Sequence, residues 1–380
     1  MAKQSRRTSS PKPCLLFVDD NLEEAEAKRG LIGSRATTIA RTPDDVTRND
    51  LKCADVVLVD FVLTDWLESD RADSLAKQPK DGLALAAVLR SHCEATWPPT
   101  AFALHSARVQ ELAGGLPPRS RAHVIARTNN LEWVFSKRNN ENVRPVADQV
   151  LALAEAVGAL PTKWPSQDLG RMRRSVERLL RLNAKSDWAQ RAWRTVESCH
   201  PPIHTLAAAT HGLAFVRWLL HQILPFPSFL WDSTYLAARL RVTPKSLRSA
   251  LSTNHRLARV LAPYRYRGIL SDFLGSRWWR AGVEELLWRR TGSQSFTSDA
   301  LTKFISDLSP TLQPTTVGEP VVVLGEDLQP SDELIDISDA VELQPDEWPA
   351  FADTAWGEKA VVDQNKSLQS IVVRRELPES

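Results

Sequence analysis

The sequence predicts an α/β chain: a doubly wound, five-stranded parallel sheet domain at residues 14–160, then an all-α domain, then a small acidic C-terminal module. Three observations carry that reading. Short β-branched runs alternate with helical patterns through the first third, as in a parallel sheet covered on both faces. From Leu169 to Thr291 the pattern is helical nearly throughout and rich in Arg and Trp. Charge separates the parts: residues 1–160 hold 21 Lys+Arg and 21 Asp+Glu, residues 161–300 hold 22 and 9, and residues 301–380 hold 5 and 16. A neutral region, a region of net +13 and a region of net −11 thus lie behind the overall charge of +2.

The elements follow in order. Residues 1–13 form a basic leader expected to be disordered. Strands are expected at Cys14–Val18, Thr37–Ala40, Val56–Val59, Ala101–His105 and Leu131–Phe135. Helical patterns fall at Leu22–Ile32, Pro43–Leu51, Gly82–His92, Arg121–Asn129 and Val143–Ala159, and Pro161 and Pro165 close the domain. The basic helical region, 161–300, is broken at His200-Pro201-Pro202 and Pro225-Phe226-Pro227. In the acidic module, 301–380, Val321–Leu324, Leu334–Ile337 and Ile371–Val373 are strand-like; the segment reads as a small β-module or a partly ordered extension.

Composition excludes several classes. At 43% hydrophobic and 25% charged, the 380 residues can build ordinary cores, and two or three domains are expected. No apolar run reaches membrane-spanning length, so no membrane partner is expected. Four scattered cysteines without a Cys-x-x-Cys pair argue against a disulfide framework or zinc site and fit a reducing cytoplasm. His200, His204, His211 and His221 cluster near Cys199, but no recognised ligand spacing joins them; buried or capping histidines are the expectation, a metal or nuclease site the alternative.

In a parallel α/β sheet, ligands bind at the carboxyl edge of the strands. Asp19 and Asp20 directly follow the first strand, and Asp60 the third. Clustered carboxylates repel one another without a cation, and hard oxygen ligands suit Mg2+. Ser106 ends the fourth strand and Lys137 follows the fifth, where a hydroxyl and an ammonium can hold phosphate oxygens. An aspartate can act as a nucleophile and form an acyl phosphate.

This set resembles the response-regulator receiver family over roughly residues 14–160. The matching segments are Phe17-Val18-Asp19-Asp20-Asn21, Val57-Leu58-Val59-Asp60, Asp81-Gly82-Leu83-Ala84-Leu85 with Leu89-Arg90, Leu104-His105-Ser106-Ala107, and Val134-Phe135-Ser136-Lys137. The resemblance implies a flavodoxin-like receiver with Asp60 as phosphoacceptor and Ser106 as switch hydroxyl. It further implies Lys137 as the lysine on the phosphoryl group, and Mg2+ held by Asp19, Asp20, Asp60 and the Val62 carbonyl. A histidine kinase or phosphotransfer protein would supply the phosphoryl group, and the only enzymatic activity expected is the receiver's own phosphorylation and dephosphorylation. The sequence departs from the family's pattern at three places. Thr64 to Lys80 is inserted before the Asp-Gly pair, bringing Asp65, Glu68, Asp70 and Asp73; Arg138 replaces a proline; and Val134 stands where an aromatic is usual, between Trp133 and Phe135.

Residues 233–251 have helix-turn-helix texture: a helix ending at Leu240, a turn containing Val242, and a second helix capped by Thr243 and beginning at Pro244. That second helix offers Lys245, Ser246, Arg248 and Ser249 for nucleic-acid contact. The output is therefore either DNA, bound through Tyr235–Leu251, or an effector protein controlled by an adaptor that binds no DNA. The tail is expected either to fold alone or to lay Glu326–Glu358 over the Arg256–Arg280 surface.

Overall fold

The computed structural model describes residues 12–64, 66, 79–113, 121–138, 142, 144–161, 163–165, 168–182, 186–207, 212–253, 255–292 and 298–373. Its first strand, β1 (Cys14–Val18), is the apolar run ahead of the acidic pair. Helix α1 (Leu22–Ile32) starts where the Asn21 side chain accepts from the amides of Glu23 and Glu24, and both glutamates sit favourably in its first turn. Then come β2 (Thr37–Arg41), α2 (Arg48–Cys53), β3 (Val56–Asp60), α3 (Gly82–Ser91), β4 (Ala101–Ser106), α4 (Ala122–Thr128), β5 (Trp133–Ser136) and α5 (Val146–Gly158). All sheet pairings are parallel, in the order β2-β1-β3-β4-β5. This is the doubly wound, flavodoxin-like arrangement, with its crevice at the carboxyl ends of β1 and β3.

Side chains alternate between two cores with the period of two that a strand imposes. Leu16, Val18, Val57, Val59, Phe102, Leu104 and Val134 meet Leu51, Leu85, Leu89 and Ile125 of α2, α3 and α4. Leu15, Phe17, Leu58, Ala103, Trp133 and Phe135 face the other way, against α1 and α5. That second core does not stop at α5. It continues through Met172, Val176 and Leu180 of α6 (Leu169–Leu180), Trp193 and Val196 of α7 (Asp187–Ser198), and on to Phe215, Phe273 and Trp279. The sheet domain and the helical region therefore share one interior.

After the short α8 (Ile203–Ala207), α9 (Leu213–Trp218) runs into a π-helical turn, Leu219–Ile223. A two-residue strand β6 (Leu230–Trp231) then pairs with β7 (Trp278–Trp279). Helices α10 (Ser233–Leu240), α11 (Pro244–Thr253), α12 (His255–Leu261), α13 (Arg280–Thr291) and α14 (Ser298–Leu308) close a further core around Leu236, Leu247, Leu257, Val283 and Leu287. Leu301, Ile305 and Leu308 of α14 belong to it, so this core crosses residue 300.

The acidic segment folds. β8 (Pro320–Leu324), β9 (Pro330–Asp336), β10 (Ala340–Leu343) and β11 (Ala355–Glu358) form a sheet in the order β10-β11-β8-β9, over Leu343, Ala355, Val362 and Leu368. α15 (Lys359–Val362) and α16 (Lys366–Gln369) complete the module. Ile371–Val373, expected as a strand, makes only the bridge Leu343–Val372, because its chain emerges directly from the last turn of α16. The helix expected over Pro43–Leu51 begins at Arg48: residues Pro43–Asp45 form a separate 3-10 turn, and Thr47 caps α2 in a reciprocal capping box with Asp50.

Candidate functional site

Asp60 ends β3 at the sheet's carboxyl edge and is buried, with 3% of its surface exposed. Its Oδ2 accepts from the Val62 amide at 3.1 Å. Carboxylate oxygens of Asp19, Asp20 and Asp60 lie within 4.8 Å of one another, the one such group among the described residues. Asp19 is held in place by its own loop: its Oδ1 accepts from the Asn21 amide at 3.0 Å, and its amide donates to the Arg41 carbonyl at 3.2 Å.

Two ammonium groups enter this cluster. Lys137, directly after β5, brings Nζ to 2.7 Å from Asp60 Oδ1 and 2.9 Å from Glu24 Oε2. The contact with Asp60 is a close ion pair. Lys28 of α1 touches Asp19 Oδ2 and stands 3.7 Å from Asp60 Oδ1. Burial pushes the Asp60 carboxyl above the usual carboxylate range, while Lys137 and Lys28 draw it back down. Burial works against the Lys137 ammonium too, but Asp60 and Glu24 outweigh it and its pKa is raised. His105, in register with Asp60 across β3 and β4, is pushed down to about 3 by burial and by the two lysines.

Ser106 ends β4 fully buried, its Oγ accepting from the Arg108 amide at 2.8 Å, and the Lys137 amide donates to the Ser106 carbonyl at 2.8 Å. Val134 faces the α2–α4 core, and its neighbours Trp133 and Phe135 face the other side, where both meet Phe273 of the helical region. Asp81 caps α3 through the Ala84 amide at 2.8 Å, and Gly82 donates to the Phe61 carbonyl at 2.9 Å. The chain thus returns to the acceptor strand despite the long excursion after Thr64. Of that excursion, Asp65, Glu68, Asp70 and Asp73 lie outside the described residues; Trp66 donates to Asp44 at 2.9 Å.

Lys28 was not among the expected site residues. On sequence it is one of five charges in LEEAEAKRGLI and reads as a solvated helix face. A single signal pointed inward: Ala25, Lys28 and Ile32 share a face at three- and four-residue spacing, and both apolar members are buried.

No family model matches this chain, and no curated protein does. Among solved structures it is similar to the RcsB response regulator of Salmonella typhimurium, at 11% identity, 54% of this chain, 92% of that one and a TM-score of 0.25. It is also similar to ChrA of a heme-sensing two-component system, at 14% identity, 66% of this chain, 90% of that one and a TM-score of 0.24. A third is RcsB of Salmonella enterica serovar Typhimurium bound to promoter P1flhDC in the presence of phosphomimetic BeF3-, at 12%, 55%, 92% and 0.24. Each of these is a response regulator.

Residues 233–253 form two helices, α10 and α11, separated by a short turn. Asp232 caps α10, Arg241 takes a left-handed φ of 56° at the turn, and Thr243 Oγ1 accepts from the Ser246 amide at 3.4 Å. Of the four residues offered for nucleic acid, Lys245 and Ser249 are exposed. Ser246 is turned inward, bonded to the Thr243 carbonyl and the Gln313 amide, and Arg248 pairs with Asp332 of β9 at 2.6 Å.

Among the described residues no cluster of possible metal ligands includes a histidine. His221 is buried with Nε2 2.9 Å from the Glu132 carbonyl oxygen, His200 and His204 are exposed, and His211 lies outside the described residues. Among those residues no helix is long and apolar enough to cross a membrane.

Proposed function

We propose that this chain is a phosphoacceptor regulator of a phosphorelay, taking a phosphoryl group on Asp60 from a histidine kinase or phosphotransfer protein. The observation that carries the reading is the buried Asp60 carboxylate at the sheet edge, with Lys137 at 2.7 Å and two further carboxylates within 4.8 Å. In the step, an Asp60 oxygen attacks phosphorus and the bond from phosphorus to the donor nitrogen breaks, its electron pair going to that nitrogen; the donor ring, carrying a proton on its other nitrogen, leaves as neutral imidazole. Lys137 and the Ser106 hydroxyl hold phosphoryl oxygens as charge builds on them.

The donor set fits Mg2+: three carboxylates at one point are hard oxygen ligands, and the Val62 carbonyl is a further candidate. Bound there by Asp19, Asp20 and Asp60, Mg2+ supplies neutralisation of the phosphate's charge. The test is intact-mass analysis after treatment with acetyl phosphate and Mg2+. One base-labile phosphoryl group is expected, and none in Asp60→Asn; undiminished labelling of that variant overturns the assignment.

For output, the formed α10–α11 corner with exposed Lys245 and Ser249 supports DNA contact. The inward Ser246 and the engaged Arg248 support an adaptor that acts on a partner protein.

A further inference from the structure

Helix α1 sends two side chains of opposite sign to the Asp60 cluster. Glu24 and Lys28 stand four residues apart, a spacing at which a glutamate and a lysine on a solvated helix pair with each other. Here they divide. Glu24 Oε2 takes the Lys137 ammonium at 2.9 Å, while Lys28 turns inward, its Nζ touching Asp19 Oδ2 and standing 3.7 Å from Asp60 Oδ1. Ala25 and Ile32, buried on the same face of α1, seat that face against the sheet.

An ammonium gives up solvation to sit there: the Lys28 side chain is 12% exposed, and those of Asp19 and Asp60 are 2% and 3% exposed. In return it stands between two of the three carboxylates that meet at the sheet edge. Its flexible four-carbon stem can follow either of them. Among the described ion pairs Lys137 reaches Asp60 and Glu24 but not Asp19. Lys28 is therefore the ammonium that links the acceptor carboxylate to the acidic pair.

Transfer of a phosphoryl group to Asp60 adds charge at this point. With acetyl phosphate as donor, an Asp60 oxygen attacks phosphorus, the bond from phosphorus to the bridging oxygen breaks, and its electron pair leaves on acetate. No proton moves. A monoanionic carboxylate becomes a dianionic acyl phosphate, so the site gains one negative charge in surroundings that exclude most water. Charge that develops in such a place is best stabilised by cations already held beside it. Lys137 and Lys28 are both so placed, on the same oxygen, Asp60 Oδ1.

We propose that Lys28 is a built-in counter-cation for the phosphoryl group: its ammonium passes from Asp19 to a phosphoryl oxygen as the acyl phosphate forms, so that Asp60 is phosphorylated without a bound metal ion. This rests on Asp60 being the phosphoacceptor and adds to that reading a residue and a metal-free route.

The test treats the metal-stripped full chain with acetyl phosphate in EDTA and, separately, in Mg2+, and follows the rate of phosphorylation by intact mass. The parent is expected to be labelled in EDTA at a rate within about tenfold of that in Mg2+, and Asp60→Asn in neither. In Lys28→Met the ratio of the EDTA rate to the Mg2+ rate should fall about a hundredfold, the scale of losing one preorganised charge-stabilising group. Labelling in Mg2+ also reports that the variant is folded, and Lys28→Gln takes its place if it is not. Labelling of the parent in Mg2+ but not in EDTA overturns the role of Lys28 and leaves the phosphoacceptor reading standing. Metal-free labelling that the neutral variant keeps at the parent's rate does the same. Labelling of the parent in neither condition, or undiminished labelling of Asp60→Asn, overturns both.

Discussion

Gly82 lies so close to Asp60 that a Cβ on it would fall 1.8 Å from the Asp60 carbonyl oxygen. The neighbouring obstacles, the Asp60 carbonyl carbon at 2.7 Å and Phe61 Cα at 2.9 Å, are also backbone, so no side-chain rotation relieves the clash. The glycine lets the first turn of α3 sit against the end of β3, where its amide satisfies the Phe61 carbonyl.

Gly82→Ala should therefore destabilise the sheet domain by about 1–3 kcal/mol or more, as overpacking does, and slow phosphorylation of Asp60 by displacing it. Gly158→Ala is the control. A Cβ there meets only Asp55 Oδ1 at 3.7 Å, an ordinary contact, and a helical alanine should add about 0.5–1 kcal/mol. Urea unfolding of the two variants separates the cases, and equal stability would sink the close-approach argument.

Lys28 places its ammonium against Asp19 and within 3.7 Å of Asp60, so it already neutralises the carboxylates that Mg2+ would use. Its side chain is only 12% exposed, and screening by water is correspondingly weak. Lys28→Met keeps the helix and the length of the side chain while removing the charge. Mg2+ affinity, read by titration calorimetry on the unphosphorylated chain, should rise about tenfold. An unchanged or weaker affinity would show that Lys28 does not compete for the site.

Much of this was legible in the sequence, and the rest has physical causes. The buried strands LLFV and VVLV read as continuous apolar runs because helices cover both faces, and the acids at their ends mark the crevice. Glu132 was not legible. It is fully buried, between Arg90 of α3 and Arg217 of α9, with Arg217 Nε at 2.7 Å and Arg90 Nη2 at 3.2 Å. Those partners are 85 and 42 positions away: packing within the sheet domain brings in Arg90, and docking of the helical region onto it brings in Arg217. Lys28 was hidden for the same reason, its burial being set by two strand ends and not by its own helix. β10 and β11 escaped notice because AVEL and AWGE are too short to show a period.

His221 gives the chain a pH dependence of definite sign. Burial, partly offset by the Glu132 carbonyl, pushes it down to about 4 from an ordinary 6.5. Between those values the unfolded chain binds a proton that the folded chain refuses. The contribution is thus complete above pH 6.5 and is lost as pH falls toward about 4, by up to about 1.4 kcal/mol per pH unit. Comparing parent and His221→Gln in urea at pH 7.5 and 5.5 cancels the other titrating groups. The parent should lose about 1 kcal/mol more than the variant, and parallel losses would refute the assignment.

The acidic module both folds and touches the basic region. It reaches Arg248 through Asp332, Arg280 through Asp353, and Arg121 of the sheet domain through Glu347 at 3.3 Å. Only Arg280 lies in the surface expected to be covered; Arg259 and Arg267 have no ion pair to the module among the described residues. The Arg248–Asp332 pair is exposed on both sides and contributes little stability, so its removal should free a cation on α11 at no structural cost. If that corner contacts DNA, Asp332→Ala should bind duplex DNA more tightly at low salt. The slope of log affinity against log salt should steepen by about one, the mark of one added phosphate contact. Truncation after Thr316 removes the module but keeps the Thr315–Arg241 and Val242–Pro314 backbone contacts that brace the turn, so it should show a larger gain of the same kind. No DNA binding by the parent, the point variant or the truncated chain at 50 mM salt, a concentration at which phosphate contacts are near full strength at about that ionic strength, would remove DNA as the output and leave the adaptor reading in its place.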